Sequence, residues 1–209
     1  MNRLDDDDDR PLSPEEMLRL IEEQQATTVR RLGGDPLLTH TPWGITWLAG
    51  FGALYLNYAY DLLSRSTALA VLFALMVLSM ATTFFAQRTV SSQVRGEAAD
   101  RGMMYGLSWM FGFACVVAIC VRLSPLLPSE ETGLLWSVTS MAIVSALYAA
   151  GGALWRVRTM FFLGAWLAAL NVAGAIAGPT VHALLISVGA GGVFTAVGVV
   201  QWMRRRGGA

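Results

Sequence analysis

From residue 43 onward the chain alternates long apolar stretches with short polar ones. Uncharged runs of about 20 residues are long enough to cross a hydrocarbon core about 30 Å thick. The pattern predicts membrane helices at 43–62, 66–86, 103–123, 132–153, 160–178 and 181–203. The expected fold class is all-α: a polytopic membrane protein with a 43–203 domain of six transmembrane helices, arranged as three consecutive helical hairpins. The connectors are short except 87–102. That segment carries Arg88, Arg95, Glu97, Asp100 and Arg101 and is expected to extend the helices beyond the membrane.

The pattern changes ahead of the spans. Residues 1–12 form an acidic tail, and the like charges of Asp5 to Asp9 repel one another and favour disorder. Residues 13–34 carry the signals of a cytoplasmic amphipathic helix. Ser13 is a natural N-cap, Pro14 suits the first helical position, and Glu16 completes a capping box. Gly33, Gly34 and Pro36 stop the helix. Over 14–32 the apolar stripe of Leu18, Ile21, Val29 and Leu32 is narrow, and Glu15, Glu16, Glu22 and Glu23 oppose anionic headgroups. This helix is therefore expected to contact a protein partner rather than anchor in the bilayer. Residues 204–209 form a basic cytoplasmic C-terminus.

One segment repeats. Trp43-Gly44-Ile45-Thr46-Trp47-Leu48-Ala49-Gly50-Phe51-Gly52 returns as Tyr105-Gly106-Leu107-Ser108-Trp109-Met110-Phe111-Gly112-Phe113-Ala114. A fainter copy runs from Phe162 to Ala169. Trp47, Trp109 and Trp166 are the anchors, each four positions after an aromatic residue. The first, third and fifth spans then run in the same direction, as a parallel hairpin repeat requires. Repeats occur in transporters, but repetition alone does not imply transport.

Composition agrees with a membrane chain: 55% of residues are hydrophobic and only 14% charged, against about 25% charged in soluble domains. All 15 basic residues are Arg. With six spans and both termini inside, only Arg65 and Arg122 fall outside. That asymmetry places both termini in the cytoplasm. No cleavable signal peptide is expected from the acidic, polar first 35 residues.

Small residues mark close helix packing, because lipid supplies no hydrophobic drive for helix association. Gly174 and Gly178 form a GxxxG pair, and Ala142, Ala146 and Ala150 form a ladder. The last three spans are expected to pack tightly, against one another or against another subunit.

Candidate chemistry is sparse. Asn171 falls near the middle of the fifth span, where an unpaired amide is costly. A backbone carbonyl, Thr139, Ser145, Ser187 or Thr195 are its candidate partners; a ligand is the other possibility. Asn57 and Asp61 share a helix face at the outer end of the first span, and Asp61 reaches Arg65 if the helix continues. They read either as a polar mouth or as an interfacial cluster satisfied by water. Ser108 and His182 superficially suggest an intramembrane serine protease. They would differ in depth by roughly 20 Å at 1.5 Å per residue, too far for a nucleophile and its base. His40 and His182 fall on opposite sides of the membrane, Cys115 and Cys120 face different ways, and no phosphate loop is present. No enzyme activity, cofactor, metal or direct nucleic-acid binding is expected. The lipid bilayer is the one certain environment, with a protein partner at 14–32 and an oligomer open.

The run Leu12-Ser13-Pro14-Glu15-Glu16, then Arg30-Arg31-Leu32, Asp35-Pro36 and Pro42-Trp43-Gly44-x-x-Trp47-Leu48-x-Gly50-Phe51, resembles a broad group of actinobacterial integral membrane proteins with no assigned activity. The resemblance is clearest over 12–55. Such proteins are often encoded beside small helix-turn-helix regulators, which implies a membrane partner for a regulator. The Asp5–Asp9 tail departs from that group. Two functions remain in view: a non-enzymatic membrane protein engaging a partner through its N-terminal helix, or a small transporter or permease subunit with a polar site near Asn171.

Overall fold

Proline, glycine and the αL conformation set where the helices start and stop. The computed structural model describes residues 13–20, 37, 40–91 and 96–207. Helix α1 spans Thr41–Tyr60 with Pro42 in its first turn, and α2 spans Arg65–Ser91. Helix α3 spans Glu97–Leu123, and a 3-10 turn at Ser124–Leu126 containing Pro125 leads to α4, Ser129–Leu154. Helix α5 spans Arg158–Ala177. Helix α6 is composite: α-helical over Pro179–Leu184, π-helical over Leu185–Gly191, and α-helical again over Gly192–Gly207. The described residues contain no strand.

Five helical segments are long and apolar enough to cross a membrane: Arg65–Arg88, Glu97–Leu126, Ser129–Leu154, Arg158–Ala177 and Pro179–Arg204. They are the hallmark of a multi-pass membrane protein. Helix α1 is uncharged over its 20 residues, but its tryptophans, tyrosines, glycines and Asn57 lower its hydropathy. Its position accounts for that composition. It packs between α2 and the whole length of α6 and buries Thr46, Trp47, Phe51, Ala53 and Leu54. A helix with two protein-facing sides has only a narrow outward strip to keep apolar, here Ile45, Leu48 and Leu56.

Each consecutive pair, α1–α2, α3–α4 and α5–α6, packs as a hairpin. Broad α4–α5 and α1–α6 interfaces join the three hairpins. Helices α2 and α3 are peripheral and turn Phe73, Val77, Phe85, Met110 and Phe111 outward. The core centres on Phe194, fully buried, with its ring 4.6 Å from Trp47 and 5.2 Å from Tyr148. Glycine admits backbone at the two main crossings. A Cβ on Gly164 would strike the backbone of Ser145 and Ala149, and one on Gly191 would strike the backbone of Leu48.

The expected small-residue ladder does not face another helix of this chain. Ala142, Ala146 and Ala150 are exposed, whereas Met141, Ser145 and Gly152 are buried. The face of α4 against α5 thus runs through Ser145, Ala149 and Gly152, because that is where Gly164 and Phe161 need the room. The GxxxG pair also divides. Gly174 packs directly under His182, whereas Gly178 has φ 94° with no atom within 4 Å of where a Cβ would sit. Gly178 makes the α5–α6 turn, not a packing contact.

At the N-terminus the capping box is formed. The Ser13 N–H donates to Glu16 Oε2 at 2.9 Å, and the Glu16 N–H donates to Ser13 Oγ at 3.2 Å. Residues 14–20 are helical and every one is exposed. The acidic tail at 1–12, positions 21–34 of the expected amphipathic helix and the end of the basic C-terminus lie outside the described residues. The long connector is largely helix, since α2 continues to Ser91 and α3 begins at Glu97.

Candidate functional site

The strongest polar feature inside the helical bundle is a buried pair, Asn171 and His182. They lie 11 residues apart in sequence. Because the chain reverses at Gly178 and Pro179, α5 and α6 run antiparallel, and the His182 side chain, packed over Gly174, reaches the Asn171 amide. The Asn171 Nδ2 donates to the Val138 carbonyl of α4 at 3.0 Å, and Asn171 Oδ1 lies 2.9 Å from His182 Nε2. This arrangement fixes the proton. The amide nitrogen is committed to a carbonyl, so Oδ1 can only accept, and the neutral His182 ring must carry its hydrogen on Nε2. Asn171 is 5% exposed and His182 1%. The Phe51 ring stands T-shaped to the imidazole at 6.2 Å, and Gly174 leaves room for it.

The arrangement ties α4, α5 and α6 together with both ends of one amide. Burial without these partners would leave polar groups unsatisfied at a cost of about 1–3 kcal/mol each. A solute reaching Asn171 would have to displace His182 or the Val138 carbonyl. Among the partners expected for Asn171, the backbone carbonyl is present. His182 is the one sequence reasoning missed; the signal available was the Gly178-Pro179 turn, which lays the start of α6 back along the end of α5, so that His182 packs on Gly174 and its ring reaches Asn171 about one turn further along.

The other expected residues have local duties. Asn57 Nδ2 donates to the Leu63 carbonyl at 2.7 Å and so closes the α1–α2 turn. Asp61 ends α1 at φ 52°, its N–H donating to the Asn57 carbonyl at 3.0 Å. The helix does not continue to Arg65, whose guanidinium instead donates to the Ser129 carbonyl at the start of α4. Asn57 and Asp61 therefore shape a turn, and no shared ligand-facing group joins them.

Thr46 Oγ1 lies 2.7 Å from Ser79 Oγ and donates to the Leu75 carbonyl at 3.1 Å, a second buried polar contact, between α1 and α2. Ser108 donates within its own helix to the Met104 carbonyl at 3.0 Å, far from the His182 pairing. Cys120 is buried 3.2 Å from Thr139 Oγ1, and Cys115 is exposed. Among the described residues no group of three His, Cys, Asp or Glu side chains is placed to hold a metal.

The repeat anchors occupy different surroundings. Trp47 is buried in the core, Trp109 is half-buried against Phe113 and Tyr148, and Trp166 is 45% exposed. Some equivalence persists. Trp43 donates to Thr83 at 3.0 Å and its counterpart Tyr105 to the Leu147 carbonyl at 2.7 Å, each within its own hairpin. Gly50 and its counterpart Gly112 admit Leu72 and Ile143 of their partner helices.

Two open recesses lie elsewhere. One, about 740 Å³, runs along the apolar outer part of α3 to Arg122 and Pro125. The other, about 370 Å³, sits at the α4–α5 turn beside Arg156 and Arg158. Compared with protein-family models, with curated proteins and with solved structures, the chain matches none.

Proposed function

We propose that the protein is a six-span, non-enzymatic component of a bacterial cytoplasmic membrane that offers its N-terminal helix to a cytoplasmic partner. The observation that carries the reading is the helix start at 13–20. It has its own capping box, yet all of residues 14–20 are exposed, including Met17, Leu18 and Leu20. A capped helix start with three apolar side chains in solvent is a ready surface for another protein.

Counting α1 as the sixth span is supported by its length: 20 residues at 1.5 Å each give about 30 Å. The arginines support the orientation. Arg88, Arg101, Arg156, Arg158, Arg204 and Arg206 gather at the end of the bundle where α1 begins, and Arg65 and Arg122 at the other. The positive-inside rule makes the first end cytoplasmic. A small helix-turn-helix regulator is the partner class that the resemblance over 12–55 favours.

Transport through a site at Asn171 is the weaker reading, because both ends of that amide are already committed within the protein. A photo-crosslinker placed at Leu18 in cells, with deletion of residues 1–36 as the comparison, tests the proposal. A discrete crosslinked partner that is lost on deletion is expected. Absence of any adduct, together with an unchanged phenotype on deletion, would sink it.

A further inference from the structure

We infer that the α4–α5 turn is a binding site for the phosphate headgroup of an anionic phospholipid in the cytoplasmic leaflet, held by Arg156 and Arg158. The cytoplasmic placement rests on the orientation proposed above. The turn closes α4 tightly. The Val157 N–H donates to the Gly152 carbonyl at 2.8 Å, and Arg156 follows the helix in the left-handed region at φ 55°. Glycine is the residue that position favours, since a Cβ is disfavoured there. The chain places an arginine there instead, and backbone strain held in this way points to a use for the side chain.

The surroundings indicate the use. Arg156 and Arg158 border one recess of about 370 Å³, whose remaining lining is Gly152, Ala153, Phe161 and Phe162. Two cations therefore meet an apolar floor at the membrane boundary. Neither guanidinium has an ion-pair or hydrogen-bond partner among the described residues; at the start of α3, Glu97 pairs with Arg101. Exposed Trp155 lies beside them, as interfacial tryptophans do. A phosphodiester matches the forked geometry of two guanidinium groups, and an acyl chain matches Phe161 and Phe162. Basic pockets between membrane helices on the cytoplasmic side bind anionic headgroups in this manner. Arg122 borders the larger recess alone and offers no second cation.

The test uses the full chain in nanodiscs of mixed phosphatidylglycerol and phosphatidylcholine, with retained lipids counted by native mass spectrometry. Preferential retention of phosphatidylglycerol is expected. Each of Arg156→Gly and Arg158→Gln should lower that preference by about fivefold, the equivalent of one surface arginine–lipid contact. Arg204→Gln should leave this tightly held lipid in place. Arg156→Gly should also match or exceed the parent in thermal stability, because glycine suits φ 55°. A site that merely stabilised the turn would not separate lipid retention from stability in that way. Equal retention in all variants overturns the inference. So does equal stabilisation by inorganic phosphate in pure phosphatidylcholine, which makes free phosphate the ligand. A preference that emerges only when residues 1–12 are removed assigns the site to the chain's own acidic tail instead. Retention in nanodiscs does not depend on orientation, which is read separately by accessibility of a C-terminal tag in cells. Failure of the site and failure of the topology therefore give different results.

Discussion

The Asn171–His182 contact makes a sharp energetic prediction through a double-mutant cycle. Asn171→Leu keeps the approximate volume but removes both hydrogen bonds of the amide, the 3.0 Å bond to Val138 and the 2.9 Å bond to His182. The Val138 carbonyl lies inside α4 and keeps its helical bond. The His182 N–H, in a residue 1% exposed, is left without its acceptor. Leaving one such group unsatisfied costs about 1–3 kcal/mol, so a loss of about 2 kcal/mol is expected. His182→Leu should cost a similar amount, because it orphans the Asn171 oxygen in its turn. The double variant removes both polar groups and should lose less than the sum. The expected coupling is about 1 kcal/mol. Interhelical hydrogen bonds in membrane proteins average about 0.6 and reach about 1.7 kcal/mol, since the unfolded chain also finds partners in the bilayer. Burial of both members places this pair above that average. Reversible unfolding by dodecyl sulfate in mixed micelles, followed by tryptophan fluorescence, measures all four corners. Strict additivity of the two substitutions would refute the reasoning, and a stabilising Asn171→Leu would show that the amide is held for another purpose.

Three further outcomes follow from the geometry. Gly164→Ala should destabilise by about 3 kcal/mol, at the upper end for overpacking, because its Cβ would meet the backbone of Ser145 and Ala149; Ala146→Leu, on an exposed face, should stay within about 0.5 kcal/mol in the same micelle titration. Gly178→Ala should cost about 2 kcal/mol despite open space around it, since φ 94° with ψ 176° is a region that only glycine enters readily; a variant as stable as the parent in thermal unfolding would contradict this. At the N-terminus, the Ser13 N–H and hydroxyl hold the Glu16 carboxyl below its ordinary range. A lowered folded value means the cap stabilises the helix above the unfolded carboxyl value of about 4.3 and is lost as pH falls through the lowered one. Protection of the amides at 15–20, taken relative to the intrinsic exchange rate at each pH, should therefore fall on acidification below about pH 4, and Glu16→Gln should abolish that dependence.

Boundaries were legible because breakers and charges are unambiguous. The expected span 160–178 is the helix Arg158–Ala177, and the Ser13–Glu16 box forms as its spacing required. Facing was not legible. In a membrane both sides of a helix are apolar, so periodicity separates protein from lipid poorly. Ala142-Ala146-Ala150 and Ser145-Ala149-Gly152 are both small-residue stripes, and only the positions of Gly164 and Phe161 across the interface select the second. The repeat carries no information on facing either: Trp47, Trp109 and Trp166 share a sequence context but are buried, half-buried and 45% exposed. The environment of an anchor depends on which hairpin lies beside it, and that information is not local.

The π segment of α6 shows how distant parts of the chain are reconciled. A π turn widens a helix and displaces carbonyls from their usual partners. Within Leu185–Gly191, Ser187 donates to the Leu48 carbonyl of α1 at 2.7 Å, and the Gly189 carbonyl accepts from Trp166 Nε1 of α5 at 3.0 Å. The same turn ends at Gly191, where α1 approaches closely enough to exclude a Cβ. Helix α6 thus contacts the helix just before it and the first helix of the bundle through one irregular stretch. It also supplies Phe194 to Trp47 and His182 to Phe51. Helix α1, rich in tryptophan, tyrosine and glycine, is therefore covered on one side by the helix made last. Its tryptophans and glycines are poor lipid-facing residues but suitable ones for a groove completed by α6. The low hydropathy of α1 and the irregularity of α6 are two halves of one packing solution.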